Sequence, residues 1–175
     1  LRSLEDASYG GWGGRMVPSA TNPRRREDGK HVTDFNPFTK KQDPAFPQTR
    51  WIPAIQNDFA ARADWCVKPY KEANHAPLVA INKSGNIQSR PGSSITLRAT
   101  ASDPDNNSVQ FKWWQYEEVG SYKGKVSIRQ AEGNKAEILI PANARKNETI
   151  HIILEVSDNG SPSLTRYQRV IITVK

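Results

Sequence analysis

Two loops of this chain concentrate hard oxygen ligands. The stretch "SDPDNN" carries Asp103 and Asp105, and "SDNGSPS" carries Asp158. Carboxylates gathered at one point, completed by Asn107 or by backbone carbonyls, are what Ca²⁺ requires, since it takes six or more oxygens. The same residue types close turns by accepting hydrogen bonds from their own backbone. That plainer reading stands beside the metal one. His75, close by in "EANHAP", reads as a junction residue ahead of a ligand.

A second chemistry is suggested by the tryptophan pair in "VQFKWWQYEE". Neighbouring side chains on a strand point to opposite faces. If Val109, Phe111 and Trp113 face a core, then Gln110, Lys112, Trp114 and Tyr116 face outward. Sugar rings stack their C–H faces on such an aromatic strip. Lys112, Gln110, Glu117 and Tyr122 would bond to hydroxyls. Trp114, Tyr116, Lys112 and Tyr122 are therefore the carbohydrate-binding candidates. The plainer alternative is that another part of the protein covers this face. A third group, Tyr9, Trp12 and Arg15 of "YGGWGGR", sits on a glycine-rich loop suited to lining a pocket around a ring. It is not a phosphate loop, because no Lys-Ser/Thr follows the glycines. A purely structural tail is its plainer reading.

Catalytic motifs are scarce. His31, His75 and His151 are far apart in sequence, and His151 alternates with inward isoleucines, which points it to solvent. No serine sits in a nucleophile elbow, and no His-x-x-x-His pair offers a zinc site. Glycoside hydrolysis needs two carboxylates facing each other across a cleft, whereas Glu117 and Glu118 are adjacent and diverge. The isolated chain does not read as an enzyme.

The elements that position these residues follow from composition and periodicity. The chain has 175 residues and a formal net charge of +7. The basic excess is spread along its length, and "PRRRE" at 23–27 lies beside Glu27 and Asp28, so no nucleic-acid footprint stands out. No apolar run approaches membrane-spanning length, and no signal peptide is present. The opening "LRSLEDASYGG" has no initiator Met, so the chain reads as a piece of a longer protein. Cys66 is the one cysteine, which rules out an intrachain disulfide; a buried, inert thiol is expected.

Residues 1 to about 49 show no sustained period and are punctuated by Gly, Pro, Asn and Asp. They read as ordered loops wrapped on a larger body. A helix follows at about 53–66, with Pro53 in its first turn, Ile55, Phe59, Ala63 and Cys66 on one apolar face, and Ile52 and Trp65 close to that face. Residues 71–77 read as a linker. From residue 78 the period becomes two, with seven strands at 78–82, 94–101, 109–116, 125–130, 136–141, 149–157 and 165–174. The fold class is thus mainly β: a seven-stranded immunoglobulin-like sandwich at 78–175, preceded by a loop-rich segment with one amphipathic helix.

"DPDNNSVQFKWWQY" and "ILEVSDNGSPSLTRYQRVIITV" resemble cadherin-like and polycystic-kidney-type sandwiches. With "YGGWGGR" and "RWIPAIQNDFAARADWCVKPYKEANHAP", the chain resembles the carboxy-terminal part of a bacterial family of cellulose-binding proteins whose first domain is nucleoside-hydrolase-like. The resemblance implies that residues 1–70 are the tail of that domain and that the rest is a carbohydrate-associated sandwich. It also implies a polysaccharide partner, an amino-terminal domain of the same protein, and secretion or a periplasmic location. One departure is plain: the Asp-x-Asp-x-Gly-x-Asp-Asp run with which nucleoside hydrolases hold Ca²⁺ and activate water does not occur here.

Overall fold

The computed structural model describes residues 1–28, 32–83 and 85–175, so His31 lies outside the described residues. The chain forms two compact units, residues 1–55 and 56–175. The boundary between them falls inside a helix.

Frequent Gly and Pro leave the first unit with short elements. A 3-10 turn spans Ala7–Tyr9. Strand β1 (Val17–Pro18) pairs with β2 (Arg26–Glu27), and β3 (Asp34–Asn36) pairs antiparallel with β4 (Lys41–Asp43). Helix α1 (Phe46–Thr49) follows, with Pro47 in its first turn. Val32, Phe46 and Trp51 are buried, and the Trp51 indole donates to the Pro47 carbonyl at 2.9 Å. So small an apolar set is supplemented by charge. Asp34, fully buried, accepts from Arg15 Nε at 2.9 Å and from Arg50 Nη1 at 3.0 Å. Arg50 also lies over the Phe46 ring, 4.8 Å from its centre. The buried carboxylate, clamped by two guanidiniums, has its own charge compensated.

Helix α2 (Ile52–Val67) occupies the expected span. Its orientation is not the expected one: Phe59, Ala63 and Cys66 are exposed, so the Cys66 thiol is not a buried one. The opposite stripe docks instead. Ala61 and Trp65 pack with Ala76 and Leu164. The Trp65 indole donates to the Asn74 carbonyl at 2.8 Å, and the Asn57 amide donates to the Ser163 carbonyl at 2.9 Å. Buried Asp58 pairs with Arg62 at 2.6 Å and Arg166 at 3.8 Å. Hydrogen-bonding side chains that would be orphaned elsewhere fix the roll of the helix more firmly than its apolar periodicity does. A 3-10 turn (Tyr70–Glu72) follows, and Asn74 and Ala76 of the expected linker are buried.

Period-two sequence then builds the sandwich. One sheet holds β5 (Leu78–Ile81), β7 (Ser94–Ser102), β10 (Lys135–Leu139) and β9 (Ser127–Arg129), in the order β5-β7-β10-β9; the other holds β6 (Gly85–Ser89), β12 (Thr165–Val174), β11 (Thr149–Asp158) and β8 (Val109–Gln115), in the order β6-β12-β11-β8. All seven expected strands are present. β6 is an addition, running parallel to β12 with Ile87 opposite Ile172. The turn-like stretch "KSGN" runs into its first two residues, "RPGS" follows it, and Ile87 is its one apolar residue. Leu97, Ile138, Ile150, Ile152, Leu154, Val156, Val170 and Ile172 are sealed between the sheets with Trp113; full burial of each aliphatic side chain is worth about 1.5–3 kcal/mol. The Trp113 indole donates to the Gly133 carbonyl at 2.9 Å. Among the described residues, no helix is long and apolar enough to cross a membrane.

Candidate functional site

The register of β8, β11 and β12 maps the outer face of the second sheet row by row. Lys112 lies opposite Glu155, which lies opposite Tyr167; Trp114 lies opposite Ile153, which lies opposite Arg169. Trp114 and Trp113 therefore diverge as alternation demands: Trp113 is buried in the core, and Trp114 is half-buried on the other side.

Around this edge strand runs an open groove of about 530 Å³, lined by Val109, Gln110, Phe111, Lys112, Glu132, Glu155 and Ser157. It is comparable in volume to known ligand sites. An amide, an ammonium, two carboxylates and a hydroxyl line it together with Val109 and Phe111. Such a set can both donate to and accept from vicinal hydroxyls. Lys112, a sequence candidate, is in this wall, and Trp114 follows it two residues on along the same face. Gln110 and Lys112 were legible; Glu155 and Ser157 were not singled out, although cross-strand register from β8 would have found them.

Two other candidates are corrected. Tyr116 lies on the expected face but is fully buried. Its ring sits 5.4 Å from that of Trp114, and Arg169 lies 5.5 Å from its centre. Tyr122 is buried in the inter-sheet core, with its hydroxyl donating to Asn143 Oδ1 at 3.1 Å. Tyr116 presents no face to a sugar, and Tyr122 reaches only the wall of a separate open groove of about 350 Å³, with Lys123, Asn143 and Arg145. His151, expected in solvent, is buried too, and Arg169 Nη1 donates to its Nδ1 at 2.9 Å. A guanidinium cannot accept, so Nδ1 holds the lone pair and the neutral ring carries its proton on Nε2. Burial of His151, Ile153, Arg169 and Ile171 means that this part of the outer face is not free surface. One sequence signal anticipates it: Ile152-Ile153-Leu154 and Val170-Ile171-Ile172 are unbroken apolar runs, the mark of strands buried on both faces.

The acidic loops do meet at one pole. Asn74 Nδ2 donates to Asp158 Oδ2 at 3.1 Å, and Asn107 Nδ2 donates to Asn74 Oδ1 at 2.7 Å. The His75 amide donates to Asp105 Oδ2 at 2.5 Å, and His75 Nδ1 lies 3.0 Å from Asp105 Oδ1. The His75 ring is stacked against both Trp65 and Tyr70. Asp103 Oδ1 accepts from the amides of Asp105 and Asn107, and Asp158 Oδ1 from those of Gly160 and Leu164. Among the described residues, no group of three or more His, Cys, Asp or Glu side chains is placed to hold a metal ion. The Ca²⁺ set of Asp103, Asp105 and Asp158 is therefore not assembled. Asp103 Oδ1 and both oxygens of Asp105 and of Asp158 are engaged in turn and junction hydrogen bonds, whereas Asp103 Oδ2 is buried without a hydrogen-bond partner among the described residues.

In the first unit, Arg15 is committed to Asp34 and to the Thr33 carbonyl, so it does not grip a ligand ring. It borders a cavity of about 110 Å³ together with Val32, Pro47 and Gln48, whose walls include neither Tyr9 nor Trp12. Trp12 lies half-buried in a tight turn closed by reciprocal hydrogen bonds between Gly11 and Gly14. Gly14, with φ of 80°, adopts the left-handed conformation that glycine tolerates.

Fold and groove together define an immunoglobulin-like β-sandwich with a polar cleft along one edge strand. Residues 94–174 match the family "Cellulose-binding protein Sde0182, C-terminal domain", which bears out the resemblance read from the sequence. The chain is also similar to a nucleoside hydrolase-related hypothetical protein from Saccharophagus degradans that is associated with carbohydrate metabolism, at 33% identity and a TM-score of 0.76, covering 97% of this chain and 43% of that one. This chain thus spans less than half the length of that relative. More distant likenesses are a PKD domain of human KIAA0319 (14% identity, 55% of this chain, 80% of that chain, TM-score 0.40) and human CDH23 EC21–23 (18% identity, 57% and 33%, TM-score 0.39). A search of curated protein sequences gave no match.

Proposed function

We propose that the chain is a non-catalytic, carbohydrate-associated module of a larger, exported, nucleoside-hydrolase-like protein, and that it takes plant-type polysaccharide in the groove beside Trp114. The observation that carries this reading is the groove itself, with Gln110, Lys112, Glu155 and Ser157 on the face that also bears Trp114. It lies wholly within the sandwich that matches a cellulose-binding family. Sugar recognition combines a flat apolar surface with hydrogen-bonding groups of both kinds, and the half-exposed indole and the polar wall supply them.

Affinity electrophoresis in gels containing hydroxyethylcellulose or xylan tests it. Retardation of the wild-type chain, lost in Trp114→Ala and weakened in Lys112→Ala, is the expected result. Equal mobility with and without polymer rules binding out. A second reading, an accessory sandwich that buttresses a catalytic domain, is favoured by the burial of Tyr116 and Tyr122, which reduces the aromatic platform to one indole.

A further inference from the structure

Helix α2 turns its polar stripe inward and its apolar stripe outward. Toward the sandwich it presents Asn57, Asp58, Ala61 and Trp65. Away from it stand Phe59 (75% exposed), Ala63, Cys66 and Val67 (80%). Positions 59, 63, 66 and 67 recur at helical spacing within α2, so they form one continuous strip. Aromatic side chains bury about 150–250 Å² each when covered. A contiguous apolar strip of this size marks an interaction surface, where isolated exposed residues would not.

We infer that this strip is the docking surface for a further folded domain of the same polypeptide. The occupant is argued from length. The Saccharophagus relative aligns over 97% of this chain, yet this chain accounts for 43% of that one. The matched region includes α2, and the remainder of the relative has no counterpart here. A surface built to be apolar, within a region that elsewhere accompanies a larger body, is covered by that body. The inference rests on the reading of the chain as a module of a larger protein and adds the face through which it is joined.

Cys66 is a built-in reporter, exposed within the strip. Its maleimide labelling is followed by peptide mass spectrometry in the 175-residue chain and in the natural longer polypeptide. The expected result is fast labelling in the short chain and labelling slowed about tenfold or more in the long one, as for a site reached by local opening. Phe59→Asp in the long form should restore fast labelling, while the same substitution leaves the melting temperature of the short chain unchanged. Equal rates in the two wild-type forms overturn the inference. So does labelling of the short chain that slows with its own concentration as a dimer forms, because the strip then serves self-association. An immunoblot of source cells tests the underlying reading separately: a species of about 19.6 kDa alone defeats both, whereas a longer species with freely reactive Cys66 defeats the docking surface and leaves the module reading standing.

Discussion

Asn74 and Asp158, 84 positions apart, are joined by a buried hydrogen bond of 3.1 Å. The same Asn74 amide donates to the Pro162 carbonyl at 2.9 Å, and its oxygen accepts from Asn107 at 2.7 Å. One side chain thus ties the entry segment to both acidic loops. Asn74→Ala removes a partner from a carboxylate oxygen, a backbone carbonyl and an amide, which should cost about 2–3 kcal/mol. Gly160→Ala should be comparably damaging, because a Cβ there would run into the Asn74 amide. Urea denaturation of both variants checks this; a loss under about 0.5 kcal/mol for each would show that water replaces the network freely.

The two adjacent tryptophans should separate stability from binding. Trp113→Ala removes a buried indole and its bond to Gly133, at about 3–5 kcal/mol. Trp114→Ala, on the half-exposed side, should cost no more than about 1–2 kcal/mol, since part of the ring already meets water. Equal melting-temperature losses would contradict the divergence of the pair.

Alternation made the sandwich legible, since seven strands were readable from runs such as "SITLRATA" and "TIHIILEVS". It also placed Trp113 inside and Trp114 outside. What it could not give was the second use of a face. Tyr116 and His151 point outward as the period requires, yet are buried, because Ile153 and Ile171 belong to a covered patch. Helix α2 misled for a related reason. Its apolar period is real, but the side that docks is chosen by Asn57, Asp58 and Trp65, whose hydrogen bonds have partners only on the sandwich. The aspartates were correctly brought to one pole; which oxygens remain free there is a matter of distances that sequence spacing does not encode.

The buried Asp34 cluster governs the first unit. Removing the carboxylate with Asp34→Ala leaves Arg15 and Arg50 without their shared partner, a loss of about 3–5 kcal/mol for a buried pair broken on one side. Hydrogen exchange should quicken throughout residues 1–55. Unchanged protection there would mean that the ion cluster is ornamental and that Trp51 and Phe46 hold the unit alone.

Tyr167 sets an alkaline limit on the fold. Burial, and then the neighbouring Glu155 charge, raise its phenol well above the ordinary value of 10. The sign follows directly. Below pH 10 the phenol is neutral in both folded and unfolded chains and stability is unaffected. Above pH 10 the unfolded chain releases this proton while the folded chain retains it, so the unfolded state gains and stability falls as pH rises toward the folded value. Urea midpoints measured between pH 9 and pH 12 should therefore decline for the wild type, with a shallower slope in Tyr167→Phe, where no proton is exchanged. Glu155→Gln should also flatten the slope, but by less, because it removes the smaller of the two causes and leaves the burial. Parallel slopes in all three proteins would place the alkaline transition elsewhere, in the lysines or the remaining tyrosines. Because Glu155 also lines the groove, the same variant read by affinity electrophoresis shows whether the carboxylate that disfavours the phenolate also holds a sugar hydroxyl.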